Sequence, residues 1–89
     1  MEKSWVLYII QCKDGTLYTG ITNDLGKRLV AHRSGKGAKY TRGRCPLTLR
    51  YVCSCEDYSH ALRLERQTKA LTRSEKLELC SAFESGEVL

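Results

Sequence analysis

The stretch that decides the fold is LYIIQCKDGTLYTGI, residues 7–21, in which two apolar runs flank the tripeptide Lys13-Asp14-Gly15. Asp and Gly are typical turn residues, and runs rich in β-branched and aromatic side chains are typical of strands. The pattern therefore predicts a β-hairpin. Each run carries one tyrosine, Tyr8 and Tyr18, so the geometry of the turn decides whether the two side chains share a face.

Two registers of this hairpin are compatible with the sequence. In a two-residue type I′ turn at Asp14-Gly15, Tyr8 and Tyr18 would point to opposite faces of the sheet. In a three-residue loop that begins at Lys13 and has Gly15 in the left-handed conformation, both tyrosines would share one face. A joint role for the tyrosines therefore requires the second register.

Helix and strand signals alternate along the remainder of the chain. The predicted elements are a helix capped by Asn23 or Asp24, a third strand over 47–55, a second helix after Asp57 or Ser59, and a third helix from a capping box at 72–75 to a stop at Gly86. The order ββαβαα predicts an α+β fold with a three-stranded antiparallel sheet flanked by helices. A chain of 89 residues is expected to form one domain, residues 1–89.

Three polar residues fall on helix faces that are otherwise apolar. Arg28 and His32 alternate with Leu25 and Leu29 at helical spacing, so leucines and polar groups share one face of the first helix. Glu65 lies within a row of the second helix that is predicted to face the core. The other members of that row are Ala61, Leu64, Thr68 and Leu71.

Positive charge is concentrated in residues 27–44, which we call the basic segment. The chain has a net charge of +5, and this segment holds seven of its fifteen Lys and Arg residues and no acid. The seven are Lys27, Arg28, Arg33, Lys36, Lys39, Arg42 and Arg44. Such a segment indicates nucleic acid as the leading specific partner, and Tyr40 within it is a candidate for stacking on a base. Two glycines, Gly35 and Gly37, interrupt the segment and disfavour an amphipathic membrane-binding helix.

The sequence carries no sign of a membrane span or of secretion. No apolar run approaches the roughly 18 residues that crossing a bilayer requires. The five cysteines form an odd set without a secretion signal, which favours free thiols over a disulfide framework. The expectation is a cytoplasmic protein.

The spacing of Tyr8, Tyr18, Arg28 and Glu65, together with the tripeptide Tyr18-Thr19-Gly20, carries a family resemblance. In these features the chain resembles the GIY-YIG nuclease domain. It is most similar to the small stand-alone members of the YhbQ type, through LYTGITNDLGKRLVAH at 17–32 and SGKGAKYTRG at 34–43. The resemblance covers about residues 4–82.

This resemblance implies metal-dependent hydrolysis of phosphodiester bonds in nucleic acid, with DNA as the favoured substrate and one Mg²⁺ or Mn²⁺ ion as cofactor. It implies that Tyr8 is the favoured general base, with Tyr18 as the competing one, that Arg28 stabilises the phosphate and that Glu65 holds the metal. His32, one turn after Arg28, is expected to hydrogen-bond Tyr8 or a phosphate. The expected nucleic-acid-binding residues are Lys27, Arg33, Lys36, Lys39, Tyr40, Arg42 and Arg44.

Elementary chemistry agrees with these roles. Tyrosine is a poor base at its usual pKa near 10, but a neighbouring guanidinium favours the phenolate. A carboxylate in an apolar row is costly to bury unless a cation compensates for it, either a metal ion or Arg28 as a structural partner.

The chain departs from the family pattern in two places, and the second departure, together with the expected absence of an additional DNA-binding domain, favours a different class of function. Val6-Leu7 replaces the Gly-Ile that would precede Tyr8, and no asparagine follows Glu65, since the only one in the chain is Asn23. The alternative function is a nucleic-acid-binding module that keeps the fold but turns over little or no substrate.

Overall fold

The structure is a computed structural model that describes residues 4–35, 46–83 and 87–88. Its elements in chain order are β1 (Val6–Gln11), β2 (Leu17–Thr22), α1 (Leu25–Arg33), β3 (Thr48–Ser54), α2 (Tyr58–Lys69), α3 (Arg73–Ala82) and β4 (Glu87–Val88). The predicted order ββαβαα is confirmed. The two-residue strand β4, which pairs antiparallel with β3, is an addition that the sequence did not indicate.

The hairpin adopts the register that places both tyrosines on one face. Tyr8 pairs with Gly20, and Ile10 pairs with Tyr18. The loop between the strands has three residues, because the Cys12 amide donates to the Thr16 carbonyl at 2.8 Å. Gly15 has a φ of 87°, a value that glycine adopts without the steric cost that a Cβ would add. The shared face that a joint tyrosine site requires is therefore present.

The sheet has the order β2-β1-β3-β4, so β1 is central and β2 is an edge strand. Alternate residues of β1 are buried on opposite faces: Leu7 and Ile9 on one, Tyr8 and Ile10 on the other. We call these the α2/α3 face and the α1 face, after the helices that cover them. On the α2/α3 face, Ala61 of α2 and Cys80 of α3 complete the core.

The α1 face is covered by the leucines that the helical pattern singled out. Leu25 and Leu29 pack against the cluster that contains Tyr8 and Ile10. The side chain of Asp24 caps α1 by accepting from the Lys27 amide at 3.2 Å. This packing turns Arg28 and His32 toward the tyrosines.

The second and third helices begin where the sequence predicted. Asp57 caps α2, and Thr72 and Glu75 form the predicted capping box of α3. The last residue of α3 is Ala82, and the predicted stop at Gly86 lies outside the described residues. Within the described part of the chain, no helix has the length and hydrophobicity needed to cross a membrane.

Candidate active site

The site is built on the close approach of Tyr8 to Gly20, its cross-strand partner. A Cβ at position 20 would lie 2.5 Å from the Tyr8 hydroxyl oxygen and 2.7 Å from the ring carbon that bears it. Real side chains do not approach so closely, so the Tyr8 ring lies across Gly20 because glycine leaves the space open. A third short distance, 3.1 Å from that Cβ to the ring of Tyr18, shows that both tyrosines converge there.

Helix α1 supplies two partners for the Tyr8 hydroxyl. The oxygen lies 2.8 Å from His32 Nε2 in a buried hydrogen bond, and Arg28 Nε donates to it at 3.3 Å. A guanidinium can only donate, so the phenol oxygen is the acceptor from Arg28 and its own proton is available to His32. Both Tyr8 and His32 are fully buried.

The rings of the site form a compact aromatic group. The Tyr18 ring centroid lies 5.3 Å from that of His32 and 6.3 Å from that of Tyr8. The Arg28 guanidinium interacts with both phenols. Its pKa is raised mainly by the hydrogen bond to Tyr8 and also by one to Tyr18. Tyr18 is only half-buried, so the group is accessible from the side of the edge strand.

The titration of Tyr8 differs from the sequence-based expectation. Burial raises the pKa of its hydroxyl, and the neighbouring Tyr18 and Glu65 add to the rise. The hydrogen bond and charge of Arg28 act in the opposite direction but do not reverse it. Arg28 therefore favours the phenolate, as expected, but the pKa of Tyr8 is still raised in the free protein, because the loss of solvent disfavours the anion more strongly.

His32 titrates in the opposite sense. Burial, with a smaller contribution from the positive charge of Arg28, lowers the pKa of His32 from 6.5 to about 4. The imidazole is therefore neutral at pH 7. In the tautomer with its proton on Nδ1, its Nε2 carries a lone pair that can accept the Tyr8 proton.

Glu65 lies on α2, which packs on the α2/α3 face, opposite to the face that carries Tyr8. Its charge contributes to the raised pKa of Tyr8, which places it within electrostatic range of the phenol. Its carboxylate lies 3.5 Å from Lys69 Nζ, and 23% of its side chain is exposed. The prediction that Glu65 faces the core is thus only partly correct, and in the described part of the chain its ion-pair partner is Lys69 instead of Arg28.

Glu65 supplies one carboxylate of the kind that binds a hard divalent cation. Within the described residues, no group of three or more His, Cys, Asp or Glu side chains is placed to hold a metal. Mg²⁺ does not need such a cage, because it commonly takes one or two protein carboxylates together with water and substrate phosphate. The partly buried carboxylate of Glu65 is therefore compatible with a Mg²⁺ ion whose other ligands are water and phosphate.

A cleft of about 240 Å³ opens beside the site, where β2 ends and α1 begins. Its lining includes Thr22, Lys27 and Arg28. Lys27 and Arg33 are exposed, as expected for residues that contact nucleic acid. The other predicted nucleic-acid-binding residues, Lys36, Lys39, Tyr40, Arg42 and Arg44, lie outside the described residues.

Sequence reasoning missed one buried polar group next to the tyrosines. Thr19 points to the α2/α3 face, and its hydroxyl has no hydrogen-bond partner within the described residues. The tripeptide Tyr18-Thr19-Gly20 could have indicated this placement, because successive side chains of a strand point to opposite faces, so Thr19 lies on the face opposite to Tyr18.

Comparison with known proteins identifies the family of the chain. The family model for the GIY-YIG catalytic domain matches residues 4–78. A UPF0213 protein of Cupriavidus pinatubonensis is 40% identical over 87 residues, which cover 98% of this chain and 97% of that protein. The UPF0213 protein YhbQ of Salmonella typhimurium is 45% identical over 85 residues, 96% of this chain and 85% of that one.

A solved structure supports the fold independently. The solution structure of the protein EF2693 from E. faecalis matches with a TM-score of 0.65 and 39% identity, covering 93% of this chain and 91% of that one. The family model spans all four residues whose spacing carried the resemblance, Tyr8, Tyr18, Arg28 and Glu65. The chain therefore belongs to the GIY-YIG family, among its small UPF0213 members of the YhbQ type.

Proposed function

We propose that this protein is a nuclease that hydrolyses phosphodiester bonds of nucleic acid, with DNA as its favoured substrate and one Mg²⁺ or Mn²⁺ ion as cofactor. The observation that carries the proposal is the Tyr8 hydroxyl, held between a cation and a neutral imidazole. Its partners are Arg28 Nε at 3.3 Å and His32 Nε2 at 2.8 Å.

The proposed reaction uses Tyr8 as a proton relay. The attacking water gives its proton to the Tyr8 oxygen as the Tyr8 proton moves to His32 Nε2, and the water oxygen forms a bond to phosphorus while the bond to the leaving oxygen breaks. Because Tyr8 exchanges one proton for another, it need not become a free phenolate, which its raised pKa disfavours. His32, then protonated, can return its proton to solvent or to the leaving oxygen.

Tyr18 remains the competing general base. It is half-buried, whereas Tyr8 is fully buried, so Tyr18 meets solvent water more readily. We assign the proton transfer to Tyr8 because its hydroxyl has a hydrogen-bonded acceptor in His32. Tyr18, beside Arg28, is then left to orient the phosphate or the water.

Arg28 and Glu65 carry the charges of the proposed reaction. The Arg28 guanidinium is well placed to bind a phosphate oxygen, since it has a fork of donors and lines the open cleft. Glu65 would hold the metal ion, which when bound supplies positive charge to the phosphate and the leaving oxygen. Both charges stabilise the transition state.

The second candidate function, a binding module without turnover, is favoured by the ion pair between Glu65 and Lys69. That pair engages the carboxylate with a cation of its own helix. An i,i+4 helix pair of this kind contributes only about 0.3–0.5 kcal/mol, so a divalent ion can replace it at little cost.

The variant Glu65→Gln tests the proposal, because amide and carboxylate have nearly the same shape. If Glu65 holds the metal, Mg²⁺-dependent cleavage of labelled single-stranded, duplex and branched DNA should fall by about 10²-fold or more. Binding to the same DNA in EDTA should be retained, and the melting temperature should change little, since only the weak pair with Lys69 is lost.

Glu78→Gln is the matched control, because Glu78 is exposed on α3 and the chemical change is the same. Its cleavage should equal that of the wild type. Unchanged cleavage in Glu65→Gln would refute the metal-ligand role. Binding without cleavage by the wild type under all metal conditions would leave the binding module as the function.

A further inference from the structure

A second cleft with basic side chains lies at the opposite end of β2 from the one beside Arg28. It has a volume of about 200 Å³ and is lined by Thr16, Leu17, Arg73 and Lys76. Leu17 is the first residue of β2, whereas the cleft beside Arg28 includes Thr22, its last residue. The edge strand therefore connects two clefts that each contain a pair of cations: Lys27 and Arg28 in one, Arg73 and Lys76 in the other.

The two cations of the second cleft are not used by the fold. Within the described part of the chain, neither Arg73 nor Lys76 makes an ion pair. The acids of the adjoining turn and helix accept hydrogen bonds elsewhere: Asp14 from the amide and hydroxyl of Thr16, at 3.1 and 2.6 Å, and Glu75 from the Thr72 amide at 2.9 Å. Arg73 and Lys76 thus keep their charge available for an anion.

Along β2, the residues that contact Tyr8 lie between the two clefts; Leu17 packs on the α2/α3 face and Tyr18 on the α1 face, so a bound strand would cross the edge of the sheet. Tyr18 and Gly20, which contact Tyr8, are within β2, and no charged residue interrupts that strand. A six-residue strand is about 17 Å long, at roughly 3.3 Å per residue. One strand of duplex DNA places a phosphate every 3.4 Å or so of helix axis, and an extended single strand spaces its phosphates more widely, so about five nucleotides or fewer span this length.

We propose that Arg73 and Lys76 form a second phosphate-binding subsite for the nucleic-acid strand whose scissile phosphate lies at Tyr8 and Arg28. The strand runs along the edge formed by β2 and is held by cations at both ends. This inference rests on the proposed function and extends it, because it adds binding residues outside the basic segment and sets a minimum substrate length.

The test compares the wild type with Arg73→Ala/Lys76→Ala in EDTA, with unlabelled oligothymidylates of two and twelve nucleotides competing against a fluorescein-labelled 12-mer. The affinity of the variant for the 12-mer should be lower on the order of tenfold, and its slope of log affinity against log salt should be shallower by about 1.4, or 0.7 for each lost phosphate contact. For the 2-mer, which has a single internucleotide phosphate and cannot occupy both subsites, the affinities of wild type and variant should agree within about twofold.

Arg63→Ala/Arg66→Ala is the matched control. It removes two positive charges from exposed positions of α2 that line neither cleft, and it should reproduce the wild-type slope. A second variant, Arg73→Glu/Lys76→Glu, separates binding from folding. Acidic residues in the first turn stabilise a helix, so its melting temperature should not fall while its affinity for the 12-mer falls below that of the alanine variant.

The possible results separate this inference from the proposed function. A 12-mer affinity and slope equal to the wild type in Arg73→Ala/Lys76→Ala overturns the second subsite and leaves the proposed nuclease intact. The same conclusion follows if the control pair loses as much affinity, or if the affinity for the 2-mer falls as strongly as that for the 12-mer. Salt-independent or undetectable binding by the wild type overturns both.

Discussion

The two faces of the sheet use the same central strand in different ways. On the α2/α3 face, Leu7 and Ile9 pack against apolar helix residues. On the α1 face, Tyr8 shares an otherwise similar core with Ile10, but its hydroxyl meets His32 and Arg28. Both faces are closed to solvent at β1. A buried hydroxyl is thus tolerated on the face where α1 provides its hydrogen-bond partners, and the candidate catalytic groups of the hairpin and α1 lie on that face.

The variant Tyr8→Phe tests this difference most strongly. If Tyr8 relays the proton, cleavage should fall by about 10²- to 10⁴-fold, the usual contribution of general acid-base catalysis. The free energy of unfolding should fall by only about 1–3 kcal/mol, because His32 and Arg28 lose a buried partner while the ring stays packed. Single-turnover cleavage and chemical denaturation measure the two effects. A larger loss of cleavage in Tyr18→Phe than in Tyr8→Phe would instead make Tyr18 the base.

The pH dependence of the free energy of unfolding tests the burial of His32, which lies on the α1 face with Tyr8. Its pKa is about 4 in the folded protein, against 6.5 as the ordinary value, so below pH 6.5 the unfolded chain binds more protons than the folded one. The contribution of neutral His32 to the free energy of unfolding is therefore fully present above about pH 6.5. It declines by roughly 2–3 kcal/mol as the pH falls to about 4. Urea unfolding between pH 4 and pH 7 measures this decline. His32→Gln should remove most of it, and an unchanged profile in that variant would contradict the assignment.

A pair of glycine substitutions measures how closely the side chains on the α1 face are packed. Gly20→Ala forces a Cβ against the Tyr8 ring, so the free energy of unfolding should fall by about 1–3 kcal/mol, as in other overpacked cores, and cleavage should fall with it. Gly26→Ala is the control within α1, where a Cβ meets nothing within 4 Å. There the better helix propensity of alanine should raise stability by about 0.5–1 kcal/mol. Equal effects at the two positions would refute the close contact.

The smallest expected effect concerns a hydroxyl on the opposite face. Thr19→Val replaces an oxygen that has no partner within the described residues with a methyl group of similar size. Because an unsatisfied buried hydroxyl destabilises, the free energy of unfolding should rise by about 1 kcal/mol, and cleavage should stay unchanged. Removal of a hydroxyl would then have opposite consequences on the two faces. A loss of stability in Thr19→Val would show that this oxygen has a partner in solution.

Much of the fold follows from local sequence signals. The turn residues, the caps at Asp24 and Asp57 and the capping box at Thr72 identified the ends of elements, since each depends on neighbours only a few residues away. The register of the hairpin was left open by the sequence, because Asp14-Gly15 suits either turn. The conformation of Gly15 and its pairing decide it in the folded chain.

The close approach of three candidate residues was predictable from the sequence, whereas the shifts of their pKa values were less so. The sequence spacing predicted that Tyr8, Arg28 and His32 lie close together, and they do, because one strand register and one helix period determine which faces they occupy. The sign of the Tyr8 pKa shift was not predictable, since it depends on how completely the ring is buried relative to the nearby guanidinium. The surroundings of Glu65 were also missed, because a residue at the margin of a helical stripe can turn toward solvent and toward Lys69.

The central position of β1 has a consequence for the order in which the chain folds. Its pairing with β2 closes a loop of three residues, whereas its pairing with β3 joins Gln11 to Thr48 and Val6 to Ser54. Closing the longer loop has a larger entropic cost, so we expect the hairpin and α1 to be structured in the folding transition state and β3 to dock later. Tyr8, Tyr18, Arg28 and His32 all belong to the early unit, and Glu65 belongs to the late one. These four side chains would thus come together during folding before Glu65 takes its place.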